Sequence, residues 1–508
     1  MNLDMNRNKN IALLSIILLV SIILNLYSIN FPFGYHPDEV IKVHFIQNNT
    51  QDFSHPILIL QIVRIFNSVL RFQSEQSIVT LGRTTTAILG TLSVFLIYTL
   101  ARRTLPTPYA LGAALLTAVA PGLVVHSHYL KEDVAFTFSV LLSFICFFHF
   151  IDAFLDTQSS LNPSLLFSKP NHDLMWRPVI LLGLATGLML SAKYKAPIII
   201  FVYLISPLYV FQLRKLSYFK NVSLALIISI VVFLLINFPI LISTNTFING
   251  FNYEFKHAIT GHIGISINPL EHLFLFHARY SIIPSLTALP FLCALLFMAY
   301  SMWQWRETSW QDLFLIVYVG IYYLTIELSP LKPWPDFMRY IVPLIPILAY
   351  MGMQLVHLIA NYVPLEVRSF SALALTTILV LFPFIDSVKL SYYLNRDTRD
   401  QVNEIMLSKA EPIVYEAYVK PFVYPPEYPR LTEFNPQEVC TMIASSFMYE
   451  RYLLAGTLSN QAPDVYEKNQ QYLKLFQYPY TEISPKHRSF AFSNPTLRVI
   501  DTCYKSEP

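Results

Sequence analysis

Two adjacent carboxylates, Asp38 and Glu39, stand in the stretch GYHPDEVIKVH at residues 34–44, just past the first long apolar run. A carboxylate placed where water begins suits a general base that takes a proton from an attacking hydroxyl. Shielding by neighbouring helices would raise its pKa and make it a stronger base. Glu39 has three open roles: orienting a substrate, pairing with a cation, or capping the loop. Pro37 biases His36 toward an extended backbone. A second acidic pair, Glu132 and Asp133, ends the run HSHYLKED at 126–133. It suits either the N-terminus of a helix or the binding of hydroxyls.

Cations recur in similar settings: Lys193 and Lys195 in SAKYKAP, Arg279, and Arg339 beside Tyr340 in KPWPDFMRY. Arginine fits bidentate contact with a phosphate and lysine a point-charge contact, although cations at a membrane surface commonly just snorkel toward headgroups. His257 and His262, in FNYEFKHAITGHIG, suit protonation or hydrogen bonding of a leaving anion; loop histidines are more often simply solvated. His126 and His128 are two apart, which does not put both on one helix face, so a two-histidine metal site is weakly supported. Asp38, Glu39, Asp133 and His128 together leave room for a divalent ion.

The elements that must position these residues are membrane helices. In 508 residues, 54% are hydrophobic and only 13% charged. The mean hydropathy of +0.47 is far above that of an ordinary soluble domain. A net charge of +3, with no basic run interleaved with aromatics, points away from nucleic acid. About eleven apolar stretches are long enough to span a bilayer, near 11–30, 84–101, 108–127, 133–154, 178–194, 196–213, 222–243, 283–302, 311–328, 339–359 and 370–390. The first is a span, since no small-residue cleavage site follows it.

With a cytoplasmic N-terminus, Arg102, Arg103, Lys169, Arg177, Arg214, Lys215, Lys220, Arg306 and Arg368 all fall inside, as the positive-inside rule requires. The quoted polar clusters then gather on the outer side. The first outer loop, 31–83, contains HPILILQIVRIFNSVLRF, whose Gln61, Arg64, Ser68 and Arg71 recur at helical spacing, as in an amphipathic helix at the interface. A second long outer loop covers 244–282. The transmembrane unit is residues 1–390. The tail, 391–508, carries strand-like stretches, EPIVYEAYV and TLRVIDTCY, and is expected to be a small extracytoplasmic α/β domain. Its Cys440 and Cys503 can pair if that compartment is oxidising, whereas Cys146 and Cys293 lie in apolar runs.

The segments YHPDE, SHYLKEDVAF, RYIVPLIPILA, NRDTRDQVNEIM and IASSFMYERYL together resemble bacterial glycosyltransferase family 39, the protein O-mannosyltransferase-like branch of the GT-C membrane fold. The resemblance extends over nearly the whole chain. It implies an all-α polytopic enzyme of the bacterial inner membrane that moves a monosaccharide from a polyprenyl-phosphate carrier to a hydroxyl of a protein, lipid or glycan on the outer face. Asp38 then lies at the catalytic centre with Glu39 beside it, Asp133 binds sugar hydroxyls, and no metal is required. Two other classes fit a polytopic chain: a secondary transporter, and a non-catalytic membrane scaffold. The transporter reading is weakened by having only 13 glycines and by charges at span ends rather than at mid-membrane.

Overall fold

The computed structural model describes residues 2–159, 173–260, 268–330, 336–408, 413–422, 440–455, 463–488 and 491–503. The first helix, α1 (Asn2–Leu26), is followed by two short helices, α2 (Pro37–Asn48) and α3 (Leu58–Leu70). Helix α4 (Glu75–Ala101) runs back antiparallel to α1, so that Asn25 meets Thr91 and the carbonyl of Ala87. Next come α5 (Thr107–Ala118), α6 (Pro121–Ser127), α7 (Glu132–Ser159), α8 (Asp173–Ala192), α9 (Pro197–Ile205) and α10 (Leu216–Ile236). A single turn, α11 (Pro239–Ile242), leads into α12 (Thr244–Thr260). The remaining membrane helices are α13 (Ile283–Leu286), α14 (Ala288–Trp303), α15 (Trp310–Leu328), α16 (Ile345–Asn361) and α17 (Leu365–Tyr393).

Among the described residues, eight helices are long and apolar enough to cross a bilayer, and two bent pairs bring the number to ten. The pairs are α5 with α6, bent by 54°, and Ala278–Leu286 with α14, bent by 109°. Pro121 breaks the first, and Ser387 donates to the carbonyl of Val119 that the break leaves over. The expected sixth span, 196–213, is not a continuous helix. It is the nine-residue α9 followed by two 3₁₀ turns, with Pro207 in the first.

This segment nevertheless makes the return crossing. A β-carbon on Gly183 would fall 2.6 Å from Ile228 and one on Gly187 2.5 Å from Val232, while Asn237 bonds Ser191 at 3.2 Å. The two sets of numbers rise together, so α8 and α10 are parallel neighbours, and the chain between them must travel back along their full length. Its irregular backbone is satisfied from within the protein. Tyr218 donates to the carbonyl of Tyr203 (2.6 Å), and Arg214 reaches those of Pro207 (2.8 Å) and Leu208 (3.0 Å).

Beyond α17, α18 (Thr398–Ser408) leads into a four-stranded sheet of β1 (Ile413–Tyr415), β2 (Thr441–Ser445), β3 (Tyr480–Ile483) and β4 (Leu497–Asp501), in the order β1-β2-β4-β3. Each strand-like stretch of the sequence contains a strand, three residues in 411–419 and five in 496–504. β1 pairs parallel to β2, and β4 pairs antiparallel to β2 and β3. Helices α19 (Ser446–Ala455) and α20 (Pro463–Leu475) accompany the sheet, and Cys440 is bonded to Cys503. This region sits on the end of α1: Arg399, held by Asp397, donates to the carbonyl of Tyr35 (3.0 Å), and Phe422 N–H to that of Gly34 (2.7 Å).

Candidate active site

The site begins at the N-terminus of α2. His36 is extended (φ −105°, ψ 117°), as the following proline requires, and its Nδ1 accepts from the N–H of Asp38. This fixes the first turn, and the helical twist then sends the two carboxylates in different directions. Asp38 faces a cavity of about 750 Å³ lined by α2, residues 51–57, α12, Asp336, Arg339 and two aromatics of the C-terminal region. Glu39 turns inward. It is wholly buried, holds Arg83 through two bonds (2.9 and 2.6 Å) and accepts from Leu130 N–H (2.9 Å). The cation-pairing role left open by the sequence is therefore the one found, and a catalytic contact by Glu39 is excluded by its burial.

Asp38 keeps 35% of its side-chain surface open, with Lys131 at 3.0 Å and Arg339 at 3.6 Å. Lys131 also binds Asp336 (2.9 Å), and Asp336 meets His126 (3.1 Å). Burial by itself would push the Asp38 carboxyl up, but Lys131 above all, with Arg339 among the other charges, holds it well below the usual carboxylate range. The raised value expected from the sequence is thus overturned by two cations that the spacing did not reveal as its partners. Burial and the Lys131 charge keep His36 neutral, with its pKa pushed down to about 3.

Glu132 lies in the cavity wall with Lys42 at 2.6 Å and His55 at 3.6 Å, whereas Asp133 is buried against Lys193. One oxygen of each carboxylate, Glu132 Oε2 and Asp133 Oδ2, has no hydrogen-bond partner among the described residues. Tyr340 collects the remaining cations. Lys195 Nζ is 3.1 Å from its ring centre, Arg339 5.1 Å and Lys193 5.5 Å. Burial, then Lys193 and Arg339, press the Lys195 ammonium well below the ordinary lysine range. Lys193, Lys195, Asp133 and Tyr340 stand beside Arg339, just outside the lining itself.

His257 lines the cavity from α12. Arg279 does not: it is exposed and lies over Tyr280, away from the lining. His262 and Lys169 lie outside the described residues. Sequence reasoning missed Lys42, Lys131 and Asp336 as members of the site, although all three stand inside the polar runs singled out. An acid next to a base looks self-neutralised in sequence, and the partners proved to be residues far along the chain. Among the described residues no group of three His, Cys, Asp or Glu is arranged to hold a metal ion.

Residues 71–259 match the family model for dolichyl-phosphate-mannose-protein mannosyltransferase. No curated protein matches the sequence. Among solved structures, ArnT from Cupriavidus metallidurans bound to undecaprenyl phosphate is similar at 14% identity and a TM-score of 0.54, over 96% of this chain and 97% of that one. The Archaeoglobus fulgidus oligosaccharyltransferase in complex with zinc and sulfate is similar at 13% identity and a TM-score of 0.56, over 95% of this chain and 72% of that one. The chain is thus a multi-pass membrane protein of the GT-C glycosyltransferase fold, and its resemblance to glycosyltransferase family 39 is borne out by the match over residues 71–259.

Proposed function

We propose that this protein transfers a monosaccharide from a polyprenyl-phosphate carrier to an acceptor hydroxyl on the extracytoplasmic face, inverting the anomeric carbon. The observation that carries this reading is Asp38, open to the cavity and flanked by Lys131 and Arg339. In this reading the acceptor oxygen attacks the anomeric carbon as the bond to the phosphate oxygen breaks, and the phosphate departs with the bonding electrons. Asp38, already ionised, takes the hydroxyl proton. Arg339 is near enough to answer the charge gathering on the phosphate, with Lys193 behind it beside Tyr340.

The sidedness rests on charge. Arg102, Arg103, Arg214, Lys215, Lys220, Arg306 and Arg368 lie at helix ends away from the site, where the positive-inside rule puts the cytoplasm. Residues 391–508 then form the extracytoplasmic part, consistent with a disulfide. The acceptor is a hydroxyl of a protein, a lipid or a glycan.

The test is transfer in reconstituted membranes from a panel of polyprenyl-phosphate monosaccharides, with the parent and Asp38→Asn at equal folded amounts. The parent consumes one donor, and the variant loses roughly 10² to 10⁴ of the rate. Equal rates would remove Asp38 as base, and no donor consumption by the parent would overturn the reading.

A further inference from the structure

The cavity wall next to Asp38 is supplied by the C-terminal region, through Tyr418 and Phe492. Their rings are offset-stacked, with centres 5.4 Å apart and planes 14° from parallel. Phe492 also packs edge-on against His36 at 4.9 Å, the residue that caps the helix carrying Asp38. Tyr418 is held from behind by Phe422 (4.9 Å) and Phe447 (5.8 Å), with Arg451 5.9 Å from its ring centre. Its backbone has φ +69°, a conformation that bulky side chains rarely adopt. Tyr418 holds this conformation while lining the cavity with only 8% of its surface open.

We infer that Tyr418, backed by Phe492, is a positioning residue for the acceptor, and that the acceptor group it receives is a pyranose ring. The inference rests on the glycosyl-transfer reading above. In the proposed reaction the donor's lipid tail stays in the bilayer, and Tyr418 and Phe492 belong to the region beyond the last membrane helix, which assigns them to the acceptor rather than to the lipid. An aromatic face accepts the flat C–H face of a sugar, and carboxylates accept its hydroxyl protons. Glu132, one oxygen of which has no hydrogen-bond partner among the described residues, Asp52 and Glu254 line the same cavity.

The experiment offers the full-length protein two kinds of acceptor, methyl pyranosides and a serine- and threonine-containing peptide, with the donor that the parent consumes. The parent glycosylates the pyranosides in preference. Tyr418→Gly removes the ring at a φ that suits glycine, so the backbone is not strained by the change. It raises the pyranoside KM about tenfold, while the donor KM moves far less. Tyr418→Phe, which restores the ring, recovers most of that affinity. Preference for the peptide, or an Asp38-dependent turnover in which neither acceptor is used, would overturn the pyranose assignment and leave glycosyl transfer standing. Equal effects on donor and acceptor KM would overturn the positioning role. No donor consumption at all would overturn the function reading, and this inference with it.

Discussion

Asp38 spends its resting state in an ion cluster with Lys131, Asp336, His126 and Arg339. In the proposed reaction Asp38 acts as carboxylate, and because its pKa is depressed, protonation would remove activity only well below the ordinary carboxylate range. The acid limb of the pH profile of kcat/KM is therefore expected at unusually low pH, and Lys131→Met is expected to move it upward. A limb unmoved in that variant would mean Lys131 is not what holds Asp38 ionised. Glu39 predicts a different outcome. Arg83→Met leaves its buried charge unpaired and costs about 3–5 kcal/mol, read as a lower thermal midpoint in detergent rather than a changed KM. The sequence reading placed both neighbours at the catalytic centre, because adjacency is visible in sequence while direction is not. About 100° of helical rotation separates Asp38 from Glu39, and the groups that meet Glu39 inside, Arg83 and the N–H of Leu130, stand 44 and 91 residues away along the chain.

At the level of elements, the parallel pair α8 and α10 depends on two glycines. Gly187→Leu puts a side chain where Val232 and the carbonyl of Ser229 already stand, 2.5 and 2.9 Å from the new β-carbon. It is expected to destabilise by about 1–3 kcal/mol, measured by thermal unfolding, with Gly320→Leu, where a β-carbon meets nothing within 4 Å, as the tolerant comparison. Hydropathy made the crossing between these helices legible, since it reads the length of an apolar run. It did not show that the run is broken, because the groups satisfying the break, Tyr218 and Arg214, lie outside it. Just past β1, Glu416 is buried, bonded by Tyr472 and by Ser445 N–H, and burial pushes its pKa up to about 7. The folded state keeps a proton that the unfolded chain releases near 4.5, so stability is greatest below 4.5 and falls as pH rises to about 7. The full loss is about 3 kcal/mol. Glu416→Gln removes it: hydrogen exchange of β2 amides in variant and parent is expected to agree near pH 4.5 and to separate at pH 8.

Over the whole molecule, the sidedness of charge made most of the plan readable. Acids and bases that share no stretch of sequence gathered on one face because the helices alternate in direction, and the parity of crossings could be counted. Arg279 shows the limit, since being on the right face does not bring a side chain to the cavity. The C-terminal region is the other limit, because nothing in its strands announced that Tyr418 and Phe492 would close the wall. That clasp sets a clock during biosynthesis. Tyr35 meets Asp400 across 365 residues, so at roughly 5–20 residues per second the ribosome delivers the two halves of the cavity on the order of 20–70 s apart. Until the last segment arrives, the cavity beside Asp38 lacks the wall that Tyr418 and Phe492 supply, and the first half of the site stands open.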